Sequence, residues 1–92
     1  MIDWIPERTP DLLSTMTEDG TVIVSPDDGR LSVLNEVGAF IWEMIDGQRS
    51  IEAIVQGVVD TFDVSSAQAR QDVQTFMAAL TERRLVTRKE QT

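Results

Sequence analysis

The residue order points to one α+β domain of winged-helix-like build, a three-stranded antiparallel β-meander followed by a three-helix bundle of the helix-turn-helix type. Three features carry the expectation. Short segments rich in β-branched residues, separated by Gly- and Pro-containing turns, fill residues 11–34. At Asn35 the apolar spacing changes from strand-like alternation to a helical repeat, and capping residues recur at Asn35, Ser50 and Ser65. With 92 residues, 41% hydrophobic and 26% charged, the chain suits one modest core and is too apolar for a disordered segment.

Residues 1–10 are bracketed by Pro6 and Pro10 and show no clear period, so an arm is expected, pinned to a groove by Trp4 and Ile5. The domain proper is expected over residues 11–87, with 88–92 as a flexible tail. Its first strand, 11–16, is the weakest, with Leu12, Leu13 and Met16 as apolar members. Glu18-Asp19-Gly20 supplies a turn in which Gly20 can take a positive φ. Thr21-Val22-Ile23-Val24-Ser25 is a β-branched strand, and Pro26-Asp27-Asp28-Gly29 the clearest turn in the chain. The third strand is Arg30-Leu31-Ser32-Val33-Leu34, with Leu31 and Val33 on one face.

Asn35 caps the first predicted helix, whose apolar stripe is Val37, Phe40, Ile41, Met44 and Ile45. Trp42 falls off this stripe and is expected at the rim of the core or as an exposed contact. Asp46-Gly47 stops the helix, with Gly47 suited to the left-handed residue after its end. Ser50 caps a second helix with an unbroken face of Ile51, Ile54, Val55, Val58, Val59 and Phe62. Ser65 and Gln68 have capping-box spacing. The third helix then carries Ala69, Val73, Phe76 and Leu80, with Met77 beside them, to about Arg83 or Arg84. Leu85 and Val86 close the core as strand or coil.

The chemistry open to this chain is narrow. It contains no cysteine and no histidine, which removes disulfides, thiolate and imidazole metal sites, and Ser/His or Cys/His nucleophiles. The hydroxyls of Ser25, Ser32, Ser50, Ser65 and Ser66 have no base to activate them, and the glycines form no phosphate loop. Asp27-Asp28 sits in a turn too short to encircle a hard cation. Neither catalysis nor a cofactor is expected.

Sixteen acidic against eight basic residues give a formal net charge of −8, a sign that repels phosphate and disfavours nucleic acid and anionic membrane as partners. Arg8, Arg30 and Arg49 are the only bases before residue 64, whereas Arg70, Arg83, Arg84, Arg88 and Lys89 follow it. No apolar run reaches the roughly 18 residues of a membrane span. The first residues are acidic where a secretion signal needs a basic start. The expected location is the cytoplasm.

An exposed strand edge offers a further use of this fold. An extended peptide can add itself to a free edge through main-chain hydrogen bonds, with selectivity from pockets for alternate side chains. Residues 30–34 immediately precede the helices, so a peptide pairing there would also lean on the third helix. An acidic winged-helix regulator and a dimerisation domain are the rival readings; a monomer is expected, with a strand- or domain-swapped dimer as its variant.

The stretch Leu34-Asn35-Glu36-Val37-Gly38-Ala39-Phe40-Ile41-Trp42 resembles the PqqD family, small peptide-binding proteins of pyrroloquinoline quinone biosynthesis. The same fold recurs as the recognition element of systems that make ribosomally synthesised, post-translationally modified peptides (RiPPs). The likeness continues through Asp46-Gly47-Gln48-Arg49-Ser50-Ile51, Ile54-Val55, Phe62-Asp63-Val64, Asp72-Val73, Phe76, Leu80 and Leu85-Val86. The resemblance implies a meander packed on three helices that binds the leader of a precursor peptide as an added strand. It implies presentation of that peptide to a radical SAM enzyme, a leader peptidase or another RiPP-modifying enzyme. Carried over by position, the peptide-binding residues would be Arg30, Leu31, Ser32, Val33 and Leu34 on the strand, with Arg70, Asp72, Val73, Phe76 and Met77 on the third helix. Val22-Ile23-Val24-Ser25-Pro26 differs from the Leu-Leu-Tyr-Pro-Glu type of strand in quinone-pathway members, so lasso-peptide and other RiPP pathways fit as well.

Overall fold

Eight elements follow one another in the computed structural model: β1 (Pro6–Arg8), β2 (Leu13–Thr17), β3 (Gly20–Val24), β4 (Leu31–Leu34), α1 (Glu36–Met44), α2 (Ile51–Thr61), α3 (Ser66–Glu82) and β5 (Val86–Arg88). Residues 3–10, 12–18, 20–25 and 29–89 are described. The α+β architecture is the expected one. β2, β3 and β4 form an antiparallel meander in that order, and β1 pairs with β5 in a separate two-stranded sheet.

The alternation of β3 and β4 decides which sheet face meets the helices. Thr21 and Ile23 on β3, and Ser32 and Leu34 on β4, turn inward and are buried, whereas Leu31 and Val33 point outward and are exposed. Gly20 is required where β3 begins. Its φ is +150°, and a Cβ there would lie 1.8 Å from the Leu34 carbonyl oxygen. The second turn is closed by Ser25 N–H donating to Arg30 O and Gly29 N–H to Ser25 O, both at 3.0 Å, with Gly29 at φ +67°. Residues 26–28 of the turn expected there lie outside the described residues, as do Asp11, Asp19 and 90–92.

All three predicted helix caps form: Asn35 Oδ1 accepts from Gly38 N–H at 2.8 Å, Ser50 Oγ from Ala53 N–H at 3.3 Å and Ser65 Oγ from Gln68 N–H at 3.2 Å. The reciprocal half of the capping box does not, because the Gln68 side chain turns forward and donates to Asp72 Oδ1 at 2.8 Å. The stop at Asp46-Gly47 lies beyond α1, whose C-cap is Ile45. There Asp46 Oδ1 accepts from the Gln48 and Arg49 N–H groups at 2.9 Å, and Gly47 sits at φ +78°.

Trp42 overturns one expectation. It is buried to 1% exposure, and the buried face of α1 is Gly38, Ile41 and Trp42, joined by Ile45. The predicted stripe was rotated because a glycine contributes no side chain to an apolar pattern, although Gly38 faces the core. Val37, Phe40 and Met44 pack on its flank, Phe40 edge-on to Phe62 with ring centroids 5.3 Å apart.

The second departure concerns both ends of the chain. The arm expected without regular structure contains β1, which pairs Pro6 with Arg88, Glu7 with Thr87 and Arg8 with Val86. Trp4 O accepts from Ile51 N–H at 2.8 Å, and Ile5 O from Lys89 N–H at 2.8 Å. Arg8 stacks over the Trp42 ring at 4.5 Å and donates to Trp42 O at 2.6 Å, which closes the core above the tryptophan. Asp3 Oδ1 also caps α2 from outside, accepting from Glu52 N–H at 3.1 Å. Burial pushes the Asp3 carboxyl up, but hydrogen bonds from Ser50, Glu52, Trp4 and Ile51 outweigh it and hold it below its ordinary value. A three-residue strand beginning with proline leaves no alternation to read, and its partner lies at the far end of the sequence.

Among the described residues no helix is long and apolar enough to cross a membrane, and no group of acidic residues could hold a metal ion.

Candidate functional site

β4 ends the meander on one side, and its outer edge has no partner strand among the described residues. The bond from Ser25 N–H to Arg30 O makes that couple a hydrogen-bonded pair. Counting by twos along the register, Ile23 with Ser32 and Thr21 with Leu34 are hydrogen-bonded pairs too, while Val24 with Leu31 and Val22 with Val33 are not. The N–H and C=O groups of Leu31 and Val33 therefore point away from β3, into the free edge. Their side chains are 62% and 76% exposed on the outer sheet face.

Beside this edge runs a groove of about 440 Å³ between the β4–α1 junction and α3. Its α1 wall is Asn35, Val37, Gly38 and Ile41, and its α3 wall Gln71, Asp72, Thr75, Phe76 and Ala79. Gly38 allows the two helices to approach, since a Cβ there would stand 3.0 Å from Phe76 Cε1. Asp72, Phe76 and Ala79 are spaced four and three apart, one stripe along α3. Arg83, four residues on, continues it and donates from Nη1 to Ser32 Oγ at 3.2 Å. The groove thus has an acid near one end and an aromatic ring and a small residue further along, and the Arg83 guanidinium lies past its lining residues, against β4.

The residues named from the sequence divide between this groove and other parts of the molecule. Leu31 and Val33 present the free edge, Ser32 and Leu34 face the helices, and Arg30 precedes β4 on an exposed stretch. Asp72 and Phe76 line the groove. Val73 has no exposed surface and belongs to the core; Met77, 3% exposed, also does and touches a second hollow with Trp4 and Ile51 on the opposite flank of α3. Arg70 turns to α2, where it forms an ion pair with Glu52 that raises the guanidinium pKa. The α3 wall of the groove extends beyond Asp72 and Phe76, to Gln71, Thr75 and Ala79. The helical spacing from Asp72 through Phe76 was the signal that would have found it.

A family model described as coenzyme PQQ synthesis protein D (PqqD) matches residues 20–86. Among solved structures, TbiB1 in complex with the TbiA(beta) leader peptide is 21% identical, with a TM-score of 0.82 over 92% of this chain and 99% of that one. A lasso peptide synthetase B1 complexed with the leader peptide is 20% identical, with a TM-score of 0.80 over 89% and 96%. The PqqD truncation of Methylobacterium extorquens PqqCD, described as a functional and stand-alone RiPP recognition element, is 21% identical, with a TM-score of 0.76 over 91% and 89%. Comparison with curated protein sequences returns no match. At these identities the likeness to the solved structures is one of fold.

Proposed function

The chain belongs to the PqqD family, and from that premise we propose that it is a non-catalytic adaptor that binds the leader segment of a ribosomally made precursor peptide and presents it to a modifying enzyme. The carrying observation is the unpaired β4 edge beside the α3 groove. Leu31 and Val33 supply outward main-chain donors and acceptors at the spacing a guest strand needs, and the groove accepts that strand's inward side chains. Affinity then comes chiefly from main-chain pairing, selectivity from the groove. Two of the structures of similar fold are complexes with leader peptides, which supports the reading. It extends to radical SAM enzymes and to leader peptidases of lasso-peptide systems as receiving partners.

The DNA-reading alternative loses its main tools. Arg70 of α3 is engaged by Glu52, and the groove face of α3 carries the acidic Asp72 on a chain of net charge −8. Isothermal titration with the precursor leader encoded beside this gene tests the proposal. Saturable binding is expected with modest salt dependence, because backbone pairing is weakly screened; no heat at about 100 μM leader would overturn it.

A further inference from the structure

Within the adaptor reading, on which this inference rests, one residue just past the α3 wall of the groove stands apart. Among the described residues the Arg83 side chain has one hydrogen bond, to the neutral Ser32 hydroxyl, and no carboxylate partner. By contrast Arg8, Arg49 and Arg70 each form an ion pair. A guanidinium has five N–H donors in a planar fork suited to a carboxylate. Here it is held across the opening between α3 and β4, beside a strand edge with no partner. Its backbone is fixed, since α3 ends in a paired turn: Leu85 N–H donates to Leu80 O at 2.8 Å and Arg84 N–H to Thr81 O at 3.0 Å, with Arg84 left-handed at φ +62°.

We propose that Arg83 reads an acidic side chain of the bound peptide, and that the edge register fixes where that side chain stands. Since Leu31 and Val33 carry the outward main-chain groups, guest residues opposite them form the hydrogen-bonded pairs. The guest residues opposite Ser32 and Leu34 then form the closer non-hydrogen-bonded pairs, and their side chains share the inward face. The one opposite Leu34 meets Phe76, whose ring packs by Gly38 and the Leu34 side chain. The one opposite Ser32 meets the Arg83 guanidinium. For a guest antiparallel to β4, the recognised pattern is an apolar residue, any residue, then Asp or Glu; a parallel guest reverses the order. The net charge of −8 repels acidic peptides at long range, so the acid is selected by contact at this one place.

Selection from a displayed library of random dodecapeptides, run on the full chain and on Arg83→Glu and Arg83→Gln, tests this. The wild type should enrich an acid two positions from an apolar residue, Arg83→Glu a lysine or arginine there, and Arg83→Gln neither. A synthetic peptide with the wild-type pattern should bind Arg83→Gln about tenfold more weakly. If Arg83→Glu fails to fold, the Arg83→Gln pool carries the comparison by itself. Enrichment of the same sequences by wild type and folded variants, with no acid at that place, overturns the role of Arg83 and leaves the adaptor reading standing. Enrichment of no peptide by any of the three overturns both.

Discussion

The two flanks of α3 are lined by similar kinds of residue and differ in what runs beside them. On one flank Asp72, Phe76 and Ala79 face a groove that reaches Asn35 at the end of β4, whose outer edge has no partner strand among the described residues. On the other, Met77, Ala78 and Thr81 line a hollow with Trp4 and Ile51. There the neighbouring main chain is already engaged, Trp4 O by Ile51 N–H and β1 by β5. An apolar hollow without free N–H and C=O groups can take a side chain but cannot extend a sheet. Under the proposed function, the flank that can bind a peptide strand is set by free backbone hydrogen-bonding groups, not by apolar surface.

Four substitutions break or sharpen this contrast. The largest effect is on stability at the enclosed flank: Met77→Ala should cost about 2–5 kcal/mol in urea unfolding, from lost packing and a cavity, while the remaining folded protein binds peptide as before. Next, Val33→Pro removes an outward donor that the protein's own ladder does not use, so leader affinity should fall about tenfold or more in titration calorimetry. Smaller is Gly38→Ala. Its Cβ would press the Phe76 ring toward the groove from 3.0 Å, and binding should weaken about threefold with the fold intact, since alanine is the better helix former. The smallest is Arg70→Ala, which removes a half-exposed pair with Glu52. It should change stability by less than about 1 kcal/mol and leave peptide binding untouched.

The pinned end of the molecule also has a pH signature. Asp3 and Asp46 both have carboxyls held below their ordinary values; for Asp46 the backbone N–H groups of Arg49 and Gln48 are responsible. A carboxylate depressed in the folded state stabilises fully above its unfolded pKa, and that contribution is lost as the pH falls below about 4, through the folded value. Thermal melts between pH 5 and 3 should therefore show a falling midpoint, less steep in Asp3→Asn. An identical slope in that variant would remove Asp3 as a source.

The meander, the three helices and their caps were legible because each announces itself locally, in β-branched runs, turn residues, and serine or asparagine before a helical stripe. Less legible was whatever depends on partners far apart in sequence. β1 is three residues long and meets β5 only through the closed fold, and Trp42 is buried partly because Arg8 comes down over it. For the site, the residues named on α3 divide between the groove wall, Asp72 and Phe76, and the core, Val73 and Met77. An α3 with Ala69, Val73, Met77 and Leu80 buried has two flanks, and contacts made in the closed fold, Gly38 against Phe76 and Arg83 to Ser32, tell which of them lies toward β4.

Amide hydrogen exchange at β4, followed by NMR with and without bound leader peptide, tests strand addition most directly. In the free protein the Ser32 and Leu34 amides should be protected by β3 while Leu31 and Val33 exchange freely; on binding, Leu31 and Val33 should become protected. Peptide that binds while those two amides continue to exchange at the free rate would contradict it.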